Sequence, residues 1–333
     1  MDPLTQGLVG ASLSLSTSKK QHMVAAGALG LLAGMAPDLD ILIRSSSDPL
    51  LFLEYHRQFT HSVFFIPVGS FLCALALHPL IGQRLGLLFK QSWWYCVLGY
   101  ATHGLLDACT SYGTQLLWPF TDARYSWNII SVIDPVFTLP ILVTLFFSLV
   151  KRNAWYTHFA VFWVFTYLII GIIQRDRAEE AGWELAEVRQ HKPQRLVAKP
   201  TFANTLVWKV IYETEEDFHV DAVRLGTSIK LYTGESIAKL NLEKDFPWLS
   251  LTSQQAEDIE RFRWFSDGFI ARDPKSELRV IDLRYSMLPN EIDALWGIEL
   301  SKFAHKNTHV KYITNRDSSQ QSRLAFLKML KGD

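Results

Sequence analysis

Six apolar runs occupy the first 173 residues: Leu4–Thr17, Val24–Ile43, Val63–Ile81, Trp93–Cys109, Ile129–Val150 and Trp155–Ile173. A helix needs roughly 20 such residues to cross the hydrocarbon of a bilayer. Inside that layer every backbone N–H and C=O must be satisfied by the chain itself, which makes separate runs of this kind helices. Leu4–Thr17 is short for a crossing, so the pattern predicts an α-helical polytopic membrane domain of five or six spans. Gly7/Ala11 and Gly10/Ser14 put small residues four apart on the first run, where another helix can come close. Trp93, Trp94, Tyr95, Trp118, Trp155 and Tyr156 fall at run ends, as an interfacial aromatic belt requires.

The solvent of the chain changes after Ile173. Nine Lys/Arg and eight Asp/Glu precede that point, out of 33 and 33 in the whole sequence, leaving 24 and 25 for the last 160 residues. The expected organisation is a helical membrane domain over 1–173, a polar and partly helical connector over 174–190, and a small soluble α+β domain of unassigned role over 191–333. Strand-like runs lie at Thr205–Tyr212, Phe218–Leu225, Ser228–Tyr232, Phe262–Ala271 and Leu278–Tyr285. Glu215-Glu216-Asp217, Tyr232-Thr233-Gly234-Glu235 and Asp273-Pro274-Lys275-Ser276 read as turns between them, and Ser253–Arg263 reads as a surface helix.

Zero formal net charge leaves no basic field of the kind nucleic-acid binding needs. Cys73, Cys96 and Cys109 all sit within apolar runs and do not indicate a disulfide framework. The N-terminus lacks the basic stretch and cleavage site of a signal peptide, so the first run is expected to be retained. Lys19, Lys20, Arg84, Lys90, Lys151 and Arg152 fall in loops on one side, against Arg44, Arg57 and Arg124 on the other. The richer side is assigned to the cytoplasm. With six spans, both termini and the soluble domain then lie on the non-cytoplasmic side.

On this topology the acidic and imidazole groups sort by side. Asp38 and Asp40 flank Leu39 behind Pro37, which should end or kink the second helix. His56 and His61 stand in the heptapeptide His56-Arg57-Gln58-Phe59-Thr60-His61-Ser62, against the edge of the third run. His103 and Asp107, at i and i+4, share a helix face. Six metal-type ligands thus converge at one membrane depth, whereas His22, His78 and His158 fall near the opposite surface. Mixed His/Asp sets suit zinc first, with manganese or iron as further options, and one or two ions per chain fit this number of groups. Ionisable residues are costly in a membrane and are a functional signal by default.

The neighbouring residues admit two uses each. Arg57 either meets a phosphate or carboxylate of a substrate or pairs with Asp38 or Glu54. Thr60 and Ser62 orient the histidines, and Ser62 is equally suited to capping the helix that begins at Val63. Asp134 reads as a cap, Gly113 as the turn that ends the fourth helix, and Trp118-Pro119-Phe120 with Arg124 as cover or lipid contact over the mouth of the cluster.

Taken together, Asp2-Pro3-Leu4-Thr5, Pro37-Asp38-Leu39-Asp40, His56-Arg57-x-x-Thr60-His61-Ser62 and His103-Gly-Leu-Leu-Asp107-x-x-Thr110-x-Tyr112-Gly113 resemble the YdjM/YbcI-type inner-membrane proteins, a family described as membrane-bound metal-dependent hydrolases. The motifs cover roughly residues 1 to 135. The resemblance implies a bacterial inner-membrane protein with a divalent-metal site, and a distant kinship with helical zinc-dependent phospholipases and nucleases, hence a phosphoester substrate. This chain has Gln6 where the family commonly has histidine. The expected function is metal-dependent hydrolysis of a lipid or lipid-linked phosphoester, with Asp38, Asp40, His56, His61, His103 and Asp107 as ligands and Arg57 and Thr60 as catalytic helpers. The expected partners are membrane lipids and that substrate. The alternative is a non-enzymatic membrane protein with a structural or sensory metal site and a soluble domain that binds a partner.

Overall fold

In the computed structural model, which describes residues 1–315 and 319–333, the apolar runs fold as helices whose ends follow from their flanking residues. Asp2 caps α1 (Pro3–Ser16): its Oδ1 accepts from Thr5 N at 3.0 Å, and Pro3 takes the first helical position, where a missing N–H leaves nothing unpaired. α2 (Met23–Met35) gives way at Pro37 to a 3-10 stretch, Ala36–Leu42, which carries Asp38 and Asp40. A short α3 (Leu51–Tyr55) precedes α4 (Ile66–Leu77), followed by α5 (Phe89–Ala108), α6 (Pro135–Lys151) and α7 (Trp155–Val188). Asp134 caps α6, as expected, accepting from Val136 N at 3.1 Å and Phe137 N at 3.2 Å.

Among the described residues three helical stretches are long and apolar enough to cross a membrane: Lys20–Leu42, Val63–Leu85 and Trp155–Val188. α6 is shorter. α5, which holds the expected span Trp93–Cys109, is diluted by Lys90, Gln91, His103 and Asp107.

The chain divides into two units, Met1–Ile43 with Tyr55–Ile173 and Phe202–Thr205, and Arg44–Glu54 with Gln174–Thr201 and Leu206–Asp333. In the first, α1, α2 and α5 meet backbone to backbone. A Cβ at Gly10 would lie 2.6 Å from the Gly30 carbonyl oxygen, and one at Gly99 would lie 2.3 Å from the same atom, so this crossing needs hydrogen in both places. Ser14 Oγ donates to Tyr95 O at 2.9 Å across the contact. Leu8, Leu15, Leu106, Ile130, Phe137, Ile141 and Tyr167 fill one core of this unit, and Ala26, Leu29, Ala33, Ala74 and Cys96 another.

The second unit has two four-stranded antiparallel sheets. β1 (Arg195–Pro200), β2 (Val207–Glu213), β3 (Asp217–Leu225) and β4 (Ile229–Ala238) form one in sequence order; β5 (Ile270–Arg272), β6 (Arg279–Asp282), β7 (Trp296–Glu299) and β8 (Lys311–Thr314) form the other. Ile211, Phe218 and Val220 pack with Phe269, Ala271 and Ile281. Ala178 and Ala181 of α7 lie on Trp208, Val210 and Val223. The helices α8 (Leu242–Asp245), α9 (Gln254–Phe265) and α10 (Gln320–Lys331) complete the unit.

Three local expectations are corrected. Gln174–Val188, expected as a partly helical connector, is helical throughout as the second part of α7. Phe262–Phe265, expected in a strand, ends α9 because Phe262 and Phe265 continue its buried face from Ile259, and the strand begins at Ile270. Tyr232-Thr233-Gly234-Glu235, expected as a turn, lies inside β4 opposite a bulge at Val220/Ala222. Gly234 is there for closeness: a Cβ would sit 2.0 Å from Val220 O and 2.2 Å from Asn290 O.

Candidate metal centre

Four segments of the first unit build the cluster. The 3-10 stretch after Pro37 supplies Asp38 and Asp40, a turn at Phe59–His61 supplies His61, α5 supplies His103 and Asp107, and α1 supplies Gln6. Gly104, directly after His103, lets the His61 backbone lie against α5, since a Cβ there would meet His61 O at 2.1 Å. Tyr100 holds the same turn by donating its hydroxyl to Thr60 O at 2.8 Å.

Asp38, His61, His103 and Asp107 form one group able to hold an ion, and Asp38, Asp40 and His56 form a second. In the first, His61 Nε2 and His103 Nε2 are 3.0 Å apart. Asp38 Oδ1 is 3.3 Å from His103 Nε2 and 3.5 Å from His61 Nε2, and Asp107 Oδ2 is 3.3 Å from His61 Nε2 and 3.9 Å from His103 Nε2. A tetrahedral ion with bonds of about 2.0–2.1 Å sets its ligand atoms roughly 3.3 Å apart, and these five separations lie between 3.0 and 3.9 Å.

The tautomers fit as well. His103 Nδ1 lies 2.6 Å from Gly34 O, which can only accept, so its ring proton is assigned to Nδ1. Thr60 Oγ1 donates to Asp40 Oδ2 at 2.8 Å and therefore accepts from His61 Nδ1 at 2.9 Å, while Asp40 Oδ2 lies 3.2 Å from the same nitrogen. Both histidines thus turn Nε2 lone pairs toward each other, an arrangement that needs a cation or an extra proton between them. The extra proton is favoured on His61: burial works against it, but hydrogen bonds to Asp107, Asp38 and Asp40 prevail and raise the pKa to about 10.

The second group is more committed to protein contacts. His56 Nδ1 is 2.7 Å from Asp40 Oδ1, and Asp40 Oδ2 accepts from Arg57 N at 3.0 Å besides Thr60. Asp40 thus orients two histidines and a loop. The side chains of His61, His103 and Asp107 are wholly buried, whereas Asp38 is 19% and His56 31% exposed, so the cluster opens on that side.

Arg57 pairs with neither of the carboxylates expected for it. Rather than Asp38 or Glu54, its Nε faces Asp107 Oδ2 at 2.9 Å, its Nη1 donates to Thr110 Oγ1 at 3.0 Å, and its guanidinium lies over the Tyr112 ring at 5.1 Å. Its backbone is left-handed, at φ 67°, which turns the side chain inward to a buried position. The Met1 amine also contacts Asp107. Gln6 Nε2 donates to Asp107 Oδ1 at 2.7 Å, and its Oε1 is buried without a hydrogen-bond partner. Ser62 Oγ accepts from Phe64 N as a cap and donates to Trp118 O at 2.6 Å, which ties the Trp118-Pro119-Phe120 segment to the turn bearing His61.

Sequence reasoning missed Gly34, Tyr100 and Gly104. A glycine in mid-helix beside a candidate ligand was the available signal for Gly104; a backbone acceptor such as Gly34 O leaves none.

This chain is similar to two bacterial proteins. Uncharacterized protein YfhP of Bacillus subtilis (strain 168) is 23% identical over 284 residues, 83% of this chain and 82% of that protein. Inner membrane protein YbcI of Escherichia coli (strain K12) is 33% identical over 110 residues, 31% of this chain and 60% of that protein. No solved structure matches. The model of the YdjM inner membrane protein family matches residues 1–178, more than half of the chain and all of the cluster, and the chain therefore belongs to that family.

Proposed function

We propose that this inner membrane protein is a metal-dependent hydrolase acting on a phosphoester in a lipid or lipid-linked substrate, with five or six membrane crossings and the second unit on the non-cytoplasmic side. The observation that carries the reading is the approach of His61 Nε2 and His103 Nε2 to 3.0 Å beside the buried carboxylate of Asp107 and the partly exposed carboxylate of Asp38. Asp38, His61, His103 and Asp107 would hold a zinc ion, and Asp38, Asp40 and His56 offer a place for a second. A divalent ion there supplies Lewis acidity toward a phosphoryl oxygen and lowers the pKa of water.

The chain's own groups do the rest. Asp40 and Thr60 fix His61, and Gly34 O fixes His103, so neither ring needs to reorient during reaction. With no second ion bound, His56, held through Nδ1 by Asp40 and partly exposed, would be free to move a proton at Nε2. Arg57 balances the charge of Asp107 from inside the cluster.

The test is the full chain in nanodiscs, with metal content measured after purification and hydrolysis followed on a phosphoester lipid. His61→Ala and Asp107→Asn are each expected to lose both ion and activity. Activity that survives the two together refutes this cluster as the hydrolytic site. The wholly buried side chains of His61, His103 and Asp107 favour a second reading, a structural or sensory metal site. Stoichiometric ion without hydrolysis of any phosphoester lipid, and with no coordination position open to added ligand, would select it.

A further inference from the structure

Between Asp40 and His56 the chain leaves the first unit after Ile43 and returns to it at Tyr55, and the intervening Arg44–Glu54 is built into the second unit. It is held there as a strap. Leu50 and Leu53 are buried, and the Phe52 ring meets Tyr312 edge-on at 5.2 Å. Arg261 of α9 does the gripping. Its Nη2 and Nη1 reach the two oxygens of Asp48 at 2.7 and 3.1 Å, its Nε reaches Glu54 Oε1 at 2.5 Å, and its Nη1 also binds Asp258 Oδ1 at 2.8 Å. His309 Nδ1 braces Asp258 Oδ2 at 2.9 Å. The grip also shows in Asp48, whose carboxyl is lowered from its usual pKa: burial works the other way, and the hydrogen bond from Arg261 outweighs it.

We propose that Arg261 is a positioning residue for the metal centre: by clamping Asp48 and Glu54 it fixes the strap whose two ends run directly into the Asp38/Asp40 segment and the His56/His61 segment. Those segments must meet closely, with Asp40 Oδ1 2.7 Å from His56 Nδ1 and Asp40 Oδ2 3.0 Å from Arg57 N. A free loop between them would have to be ordered each time an ion bound, and ordering a residue costs about 1–2 kcal/mol of entropy. A strap ordered beforehand removes that cost from binding, which is the use the second unit has for the site. One planar fork serves three carboxylates here, so truncation leaves them facing one another without a cation.

The inference rests on reading the cluster as a metal centre, and the experiment separates the two. Zinc affinity is measured on the full chain in detergent, by competition with a chromogenic chelator, for wild type, Arg261→Ala, Arg261→Lys, Asp48→Asn with Glu54→Gln, and the combination with Arg261→Ala. Thermal unfolding of the zinc-free proteins is recorded alongside. Arg261→Ala is expected to weaken zinc roughly 10- to 100-fold, the range for residues that orient ligands, at unchanged stoichiometry. Arg261→Lys should keep part of the affinity, and the combined variant should bind no more weakly than Arg261→Ala, because the partners act as one unit. Asp48→Asn with Glu54→Gln removes charge instead of stranding it, and decides the matter if Arg261→Ala does not fold. Wild-type affinity in either folded variant, or a lowered zinc-free unfolding midpoint with affinity intact, overturns the proposal. A wild-type chain that binds no zinc overturns the metal centre itself.

Discussion

Gly104→Ala sets two effects against each other at the centre of the cluster. Glycine in a helix interior costs about 1 kcal/mol relative to alanine, so by propensity alone α5 would gain. The new Cβ, however, would lie 2.1 Å from His61 O and 3.1 Å from His61 C. Ordinary carbon–oxygen contacts are about 3.3 Å or longer, so the His61 turn or α5 has to give by roughly an ångström. Overpacking of this kind costs about 1–3 kcal/mol, which leaves a net loss of up to about 2 kcal/mol. For the zinc site proposed above, affinity should fall further than stability, because metal–ligand distances tolerate only about 0.2 Å and His61 Nε2 stands 3.0 Å from His103 Nε2. We expect at least a tenfold loss, as for other changes that disturb ligand orientation. Gly27→Ala serves as the control, since its Cβ would meet the Leu15 side chain at 3.3 Å and beyond. Chelator competition and thermal unfolding in detergent read the two quantities separately. Wild-type zinc affinity in Gly104→Ala would refute the reasoning.

Three further perturbations follow from buried groups elsewhere. Asp134→Ala removes the α6 cap and the bond that the Tyr167 hydroxyl donates to Asp134 Oδ2 at 2.8 Å; a loss of about 2 kcal/mol is expected in detergent unfolding, with Asp134→Asn keeping most of the stability. Arg284→Met leaves the buried carboxylate of Asp282 without its partner at 2.7 Å and should cost about 3–5 kcal/mol, most of which returns when Asp282→Asn is added. Lys209, paired in register with Lys199, is held by burial down to about 7. An unfolded lysine keeps its proton to about 10.4, so between those values the unfolded chain binds the extra proton and stability rises with pH. Lys199, also lowered by burial, adds in the same direction. Lys209→Met should flatten its share of that slope in unfolding curves taken from pH 7 to 10, and an unchanged slope would contradict the assignment.

Much of the helical organisation and the raw material of the cluster were legible because both obey local spacing rules. The apolar runs mark helices, Pro37 stops α2 where it should, Asp134 caps α6, and the i, i+4 spacing of His103 and Asp107 puts them on one face. What remained hidden depends on contacts distant in sequence. Arg57 could not be given its partner, since Asp107 lies on another helix and the inward turn requires a positive φ in a residue that rarely takes one. Gly234 carries the composition of a turn, and the close approach of Val220 O and Asn290 O inside β4 is what its sequence does not show. The phenylalanines that close α9 share their β propensity with a strand, and burial beside Ile259 decides between the two. Arg44–Glu54 reads as an ordinary loop until Arg261, some two hundred residues later, is placed on it.

The two histidines at the heart of the cluster differ in what natural variation can do to them. The ring of His103 is held by a main-chain oxygen, which a substitution at position 34 does not delete but would displace, since a Cβ there would lie 2.9 Å from Gln6 O. His61 leans on the side chains of Asp40 and Thr60, both of which are exchangeable. Tuning of the centre among related chains should therefore concentrate on the His61 side, through residues at positions 40 and 60, while the His103 side stays constant for as long as α2 and α5 keep their crossing.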